Sequence, residues 1–432
     1  MQFTYKQIWL INYPVMISLL MEQLINLTDT LFLGHVGETE LGACALANMY
    51  CTAIYMLGLG FSHGLQVMIA RQNGEGNHRL IGKSFCQGIL FQTLLALSLL
   101  TLSKLFSPYI LSRLIHSTSI YQATLAYVDW RVCSFLFAFP LLAIRAFYLG
   151  TTRTGILTPN AILMVVSNII LNYLLIFGKA GFPRLGIAGA AIASTLAELI
   201  ALVFLTVHMY RHLNRRQYGI NFRPDWPLMG ELLSLSIWTM IRSFLCIAPW
   251  FLFFIAIEHL GETQLAAANI VRSISMIFFI VVNSFATTNI SLVGNLIGNQ
   301  AQQWVIPVCR KVIQLGYAIG IPLIATAALL SRPLLGLFTT NTTVIEAAYA
   351  PFMVMLSTYL LSVPAYTYCN AVIGTGHTRR AFTYQVITMV CYLSYLYFLS
   401  QCHGIPLALY WTSEQLYVIL LFALSRQFMR RY

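Results

Sequence analysis

Charge is what this chain has least of. Only 9% of its 432 residues are Asp, Glu, Lys or Arg, and only 13 of them are acidic. A soluble domain carries roughly 25% charged residues, so a water-exposed globular surface is excluded. Paired cysteines are also missing. The nine cysteines lie mostly within apolar stretches and form no CxxC pair; they read as small core side chains, not as a disulfide or zinc framework. The histidines are scattered without metal-ligand spacing. HExxH, GxSxG with partners, a Gly-rich phosphate loop and paired acids in a polar loop are all absent, so nothing points to an integral-membrane enzyme. A channel is not indicated either, for there is no re-entrant filter signature. The first apolar stretch is too long for a signal peptide and lacks a small-residue cleavage site, so it is expected to remain as a helix.

What the chain does have is hydrophobic length. Residues of the apolar class make up 58% of it. Twelve stretches reach spanning length, at roughly 8–33, 41–70, 80–103, 120–146, 155–177, 186–210, 231–258, 265–293, 306–330, 344–373, 381–401 and 404–424. The expected fold class is therefore all-α integral membrane. The net charge of +12 does not indicate a nucleic-acid partner, because of where it falls. With a cytoplasmic N-terminus, 16 of the 25 Lys/Arg collect inside, among them Arg71, Arg79, Lys83, Arg211, Arg215, Arg216, Arg223, Arg426, Arg430 and Arg431. The outside loops hold Lys104, Arg113, Lys179, Arg184 and Arg332. That bias predicts cytoplasmic termini and contact with anionic headgroups of the bilayer.

The chain also repeats itself. Gly37-Glu38-Thr39-Glu40-Leu41 returns as Gly261-Glu262-Thr263-Gln264-Leu265, a shift of 224 positions. The same shift carries Gly74 onto Gly298, Ser107 onto Ser331, Pro140 onto Pro364 and Gly150-Thr151 onto Gly374-Thr375. Six spans per half return the chain to its starting side, which predicts two parallel, pseudo-symmetric six-helix bundles. The expected division is a lobe at 1–213, a basic linker at 214–229 and a second lobe at 230–432. Two such lobes around a midplane cavity are a recurring transporter design.

Acidic residues inside spans are expensive and are functional by default. Glu22, Asn26 and Asp29 share one face of the first span. The first and fifth spans run outward and the sixth inward. At 1.5 Å per residue, Asp29, Asn172 and Ser194 lie about 8–12 Å below the outer turns at Gly34, Gly178 and Gly186. Glu22, Asn168 and Glu198 lie deeper, about 15–18 Å below the same turns. Two polar layers at matched depths on three helices predict one pocket in the first lobe. The shift places Phe253 opposite Asp29, so ion coupling is expected in that lobe alone. Asp129 and Arg131 read as a structural interface pair. Arg242 is the one interior charge of the seventh span, expected to pair with an acid or to face a cavity. Asn26, Arg242, Trp238 and Tyr366 are candidates for lining a substrate cavity, with aromatic faces offered to flat cations.

These motifs resemble the multidrug and toxic compound extrusion (MATE) family. The resemblance rests on Pro14, Glu22-Gln23, Asp29-Thr30 and Gly34-His35-Val36-Gly37 in the first span and turn. It continues with Leu265-Ala266-Ala267-Ala268-Asn269-Ile270, Leu292-Val293-Gly294-Asn295-Leu296-Ile297-Gly298 and Gly374-Thr375-Gly376-His377-Thr378. The Asp in the first span, with acids only at the ends of the seventh, looks closest to the DinF-like branch. Asn172 departs from it, since many such relatives have Asp there; an amide ligates a cation but takes up no proton. The resemblance implies a secondary active antiporter in the plasma (inner) membrane, a monomer that expels lipophilic or cationic small molecules. It uses no cofactor beyond a coupling ion, H⁺ or Na⁺. Asp29 is the expected coupling carboxylate. Either it carries the proton alone or Glu22 or Glu198 takes a second role, and a Na⁺ would be held by Asp29, Asn168 and Asn172 with the hydroxyls of Ser194 or Thr195. The alternative within the superfamily is a flippase for lipids or lipid-linked oligosaccharides, kept open by Arg242 and Arg272.

Overall fold

The computed structural model describes residues 3–115, 117–402 and 404–432. The side chains of Glu38 and Arg215, one in the repeat motif and one in the inside-facing basic set, lie outside the described residues. Among the described residues twelve helical segments are long and apolar enough to cross a membrane, matching the expected count, and the chain is a multi-pass membrane protein. The helices are α1 (Tyr5–Gly34), α2 (Glu38–Gly74), α3 (His78–Leu114), α4 (Thr118–Arg131), α5 (Phe135–Gly150), α6 (Leu157–Phe177), α7 (Gly186–His212) and the short α8 (Arg215–Tyr218). They continue as α9 (Trp226–Leu245), α10 (Ala248–Glu258), α11 (Glu262–Gly298), α12 (Val305–Leu329), α13 (Ser331–Gly336), α14 (Thr342–Gly374), α15 (Thr378–Gln401) and α16 (Leu407–Met429). The fourth span is α4 and α5 joined by a 3₁₀ turn at Val132–Ser134, and the seventh is α9 followed by α10. The repeat is visible in the element bounds. Shifting Glu38–Gly74 by 224 gives Glu262–Gly298, and shifting Thr118–Gly150 gives Thr342–Gly374.

Many leucines stand open to the surroundings, including Leu105 at 67% and Leu329 at 84% exposure. On a spanning helix that is the lipid-facing side, where apolar exposure costs nothing.

The chain divides into two compact units, 17–244 and a second made of 1–16 with 245–432. These bounds differ from the expected 1–213, 214–229 and 230–432, and local packing explains why. The start of α1 belongs to the second unit: Lys311 Nζ donates to the Phe3 carbonyl at 3.0 Å, Tyr5 donates to Gln314 at 2.5 Å, and Thr288 donates to Asn12 at 3.0 Å. In turn α9 belongs to the first unit because α2 carries a Gly60-x-x-x-Gly64 stripe against it. A Cβ on Gly60 would lie 2.5 Å from the Met240 Cα, and one on Gly64 would lie 2.8 Å from the Ser236 Cα. Small residues at that spacing let helix backbones close up in a membrane. The boundaries fall two residues past Pro14, which removes a helix hydrogen bond, and just before the α9–α10 break, where Pro249 opens α10.

Each unit has its own core. The first is built on Leu33, Ala47, Tyr127, Phe135, Phe139 and Ala190. The second is built on Phe253, Phe278, Phe352, Tyr392, Leu396 and Trp411.

Candidate ion site and cavity of the first unit

Three helices of the first unit bring their polar residues together. At the end of α6, Gly178 adopts a left-handed φ of 67° as the helix cap, which turns the chain back sharply. The returning α7 then presses on α6 at Gly189, where a Cβ would sit 2.7 Å from the Leu175 carbonyl oxygen. That approach sets Ser194 beside Asn168 and Asn172.

With Asp29 of α1 these residues close a ring of hydrogen bonds. Asn172 Nδ2 donates to Asp29 Oδ1 at 2.5 Å and also to Asn168 Oδ1 at 3.0 Å. Asn168 Nδ2 donates to Ser194 Oγ at 3.0 Å, and Ser194 Oγ donates to Asp29 Oδ2 at 3.1 Å. All four side chains are buried, with exposures of 4% for Asp29 and Ser194 and 0% for the two asparagines. The carboxylate thus has a donor on each oxygen, which is what a buried charge requires. One acceptor is left over: Asn172 Oδ1 has no partner among the described residues.

The ring abuts a cavity of about 380 Å³ lined by residues of the same unit. Asn168 and Ser194 line it, as do Asn26, Tyr55 and Phe135, whereas Asp29 and Asn172 do not. Asp29 therefore stands behind two side chains that belong to both ring and wall. Four charged residues also face the cavity, as two ion pairs. Arg131 Nη1 contacts Glu198 Oε1 at 2.8 Å. Arg145 Nη1 pairs with Glu22 Oε1. The 3₁₀ turn after Arg131 brings Ser134 round to accept from Arg131 at 2.9 Å.

The matched depths of Asp29, Asn172 and Ser194 are reproduced as direct hydrogen bonds. Asn168, expected one layer deeper, joins the same ring, since it sits one turn from Asn172 on the same face. Glu22 and Glu198 lie at the cavity in their ion pairs. Thr195 is outside the ring; its hydroxyl bonds back to Ala191 at 2.8 Å and reaches the Trp130 carbonyl at 3.3 Å, the usual habit of a helical threonine. Asp129 and Arg131 do not pair. Two residues apart on a helix they point to different sides, so Asp129 takes Lys104 at 2.7 Å while Arg131 takes Glu198. Arg242 and Trp238 are not among the residues lining the cavity, and Tyr366 packs edge-on against Phe279 in the second unit, ring centres 5.4 Å apart. Arg145 is the residue that sequence reasoning left without a role. Its signal was available: a lone guanidinium in Leu142-Ala143-Ile144-Arg145-Ala146 needs a buried acid.

Among the described residues the second unit has no counterpart of the ring. The 224 shift takes Asp29 to Phe253, Asn168 to Tyr392 and Asn172 to Leu396, all in its core with exposures of 0%, 1% and 4%. Arg131 and Arg145 map onto Met355 and Cys369, also in that core.

Comparisons with known proteins agree with this architecture. The family model MatE matches residues 14–174 and 232–398. A probable multidrug resistance protein NorM of Rhizobium meliloti is 26% identical over 333 residues, which cover 76% of this chain and 71% of the relative. One of the same description from Thermotoga maritima is 24% identical over 382 residues, covering 86% and 80%. Among solved structures, an outward-facing multidrug resistance MATE family transporter of the MOP superfamily superposes with a TM-score of 0.91 at 15% identity, covering 99% of this chain and 96% of its own. A MOP superfamily transporter from Pyrococcus furiosus, described as having a binding pocket of reverse polarity, gives 0.89 at 17% identity with the same coverage.

Proposed function

Because the chain belongs to the MatE family of multidrug and toxic compound extrusion transporters, we propose that it is a secondary active antiporter that exports lipophilic or cationic small molecules and is driven by H⁺ or Na⁺ binding at Asp29. It works as a monomer in the plasma (inner) membrane with both termini in the cytoplasm. The observation that carries the proposal is the buried ring around Asp29 and its two members, Asn168 and Ser194, that are also cavity wall.

The ring links ion to cavity in a simple way. While Asp29 is ionised and free of a cation, it holds the Asn172 amide and the Ser194 hydroxyl as donors. A proton or a sodium ion on the carboxylate removes the charge those donors answer to. A hydrogen bond to a charged group contributes about 1.5–3 kcal/mol, against about 0.5–1.5 for a neutral one. Two such bonds weakened together amount to about 2–3 kcal/mol, within the usual range of coupling between two sites. Freed Asn168 and Ser194 then alter the wall that the transported molecule meets. Sodium fits the donor set: a half-turn of the Asn172 amide brings its unpartnered Oδ1 to the carboxylate, and Asn168 and Ser194 add two further hard oxygens. Restriction of this chemistry to the first unit supports a DinF-like arrangement.

The flippase alternative is less favoured, because the two guanidinium groups that face the cavity, those of Arg131 and Arg145, are each already matched by a glutamate. Reconstituted protein tests the proposal. With a pH gradient or a sodium gradient imposed separately across the liposome, a fluorescent cationic dye should accumulate against its own gradient in one condition at least. Movement of a labelled lipid, with no dye response to either gradient, would refute the antiporter reading.

A further inference from the structure

We propose that the cavity of the first unit selects amphoteric molecules, carrying one cationic and one anionic group on an apolar body, over lipophilic monocations. The inference rests on the reading above that this cavity receives the transported molecule, and it narrows the class of that molecule.

The charge of the wall is the starting point. Glu22 and Glu198 are offset by Arg131 and Arg145, so the charged lining sums to zero. Asp29, which would make it acidic, is turned away behind Asn168 and Ser194 and spends its two oxygens on ring donors. A monocation drawn to either glutamate is opposed by the arginine beside it, and long-range attraction is lost. A molecule with both signs meets complementary groups at each pair.

One pair is also built to accept a third party. The Arg131–Glu198 pair uses only one carboxylate oxygen, where an arginine and a carboxylate commonly engage two nitrogens and two oxygens side by side. Glu198 Oε2 has no partner among the described residues, and its side chain is only 14% exposed. A ligand ammonium at that oxygen and a ligand carboxylate on the remaining edge of an arginine would satisfy groups whose burial is otherwise costly. Tyr55 lies within electrostatic reach of all four charges and, with Phe135, supplies the aromatic surface for the apolar body. About 380 Å³ is enough room for a small drug-sized molecule.

A dye pair on one scaffold makes the test direct. Rhodamine B carries a free carboxylate beside its cationic ring system, and its ethyl ester is a lipophilic monocation of nearly the same shape. Binding of each to the full-length protein in detergent, followed by fluorescence anisotropy without any gradient, should favour rhodamine B by about tenfold or more, the return on one added charge-assisted contact. The double variant Glu198→Gln with Arg131→Gln removes the pair that carries the open carboxylate oxygen and leaves no lone buried charge; it should lose most of the preference. Equal or tighter binding of the ester by the unaltered protein overturns the inference, and so does a preference that survives the double variant. If that variant does not fold, the comparison of the two dyes on the unaltered protein decides alone. A preference for rhodamine B with no gradient-driven export of either dye supports the selectivity and overturns the antiporter reading instead.

Discussion

The Arg131–Glu198 pair should reveal itself by an asymmetry between its two single substitutions. Both side chains are largely withdrawn from solvent, at 23% and 14% exposure, with 2.8 Å between their nearest charged atoms. Removing one partner from such a pair costs about 3–5 kcal/mol, because the other charge is left in a medium that does not solvate it. In Glu198→Gln that other charge is a guanidinium, which does not deprotonate under any condition the protein survives. Its penalty should stay constant across the pH range. In Arg131→Gln the orphan is the Glu198 carboxylate, which sheds its charge by taking a proton. Binding that proton favours the folded form, so the loss of stability should shrink as pH is lowered through the weakly acidic range. The double substitution leaves no charge behind and should sit close to the unaltered protein, within about 1–2 kcal/mol. Thermal unfolding in detergent, followed for all four proteins at a series of pH values, reads out each expectation. Two single variants with the same pH profile, or a double variant worse than either, would refute the reasoning.

Three further outcomes follow from the geometry. Gly60→Ala puts a Cβ 2.5 Å from the Met240 backbone and should destabilise the α2–α9 contact by about 1–3 kcal/mol, read as a lower unfolding midpoint that Gly230→Ala, which meets nothing within 4 Å, does not share. Asn172→Leu removes one donor from Asp29 and the amide oxygen offered to an ion; affinity for the coupling ion should fall by about ten- to a hundredfold, on the scale of one lost charge-assisted bond, measured by the ion concentration at half-maximal dye export. His377 stands in the turn before α15, beside Thr375 at 3.1 Å and edge-on to Phe428 at 5.2 Å. Partial burial and the neighbouring Arg380 hold its imidazole below the usual histidine range. The unfolded chain therefore binds the proton more readily, so this contribution to stability is present above about pH 6.5 and is lost as pH falls through the lower folded value. His377→Gln should flatten that part of the pH profile of the unfolding midpoint, and an unchanged profile would contradict it.

Much of this was written in the sequence where helix geometry is rigid. Spans, repeat and the matched depths of Asp29, Asn172 and Ser194 need only the rise per residue and the outer turns, whereas the meeting of their faces depends on helix rotation, which depth does not fix. The unit boundaries were not legible. They depend on which backbone a Gly60-x-x-x-Gly64 stripe meets and on side chains such as Asn12 and Lys311 finding partners some 300 positions away. The glutamates illustrate the same limit. Depth placed Glu22 and Glu198 near the site, but only the packing of α4 and α5 reveals that Arg145 and Arg131 hold them. Asn168 was assigned to the deeper layer because depth ignores side-chain length, and one turn is within an asparagine's reach.

The central claim is that energy coupling resides at Asp29 and at no site in the second unit, and Asp29→Asn in proteoliposomes tests it most directly. The substitution keeps the shape and removes the charge. At an effective dielectric of about 20, a unit charge 4 Å from a cation is worth about 4 kcal/mol, roughly a thousandfold in ion affinity. Initial rates of dye export would be recorded under an imposed pH gradient and an imposed sodium gradient, beside dye binding in the absence of either. The account predicts that Asp29→Asn still binds dye and has lost its response to the driving gradient. Export by the variant that rises with the gradient as steeply as in the unaltered protein would contradict it.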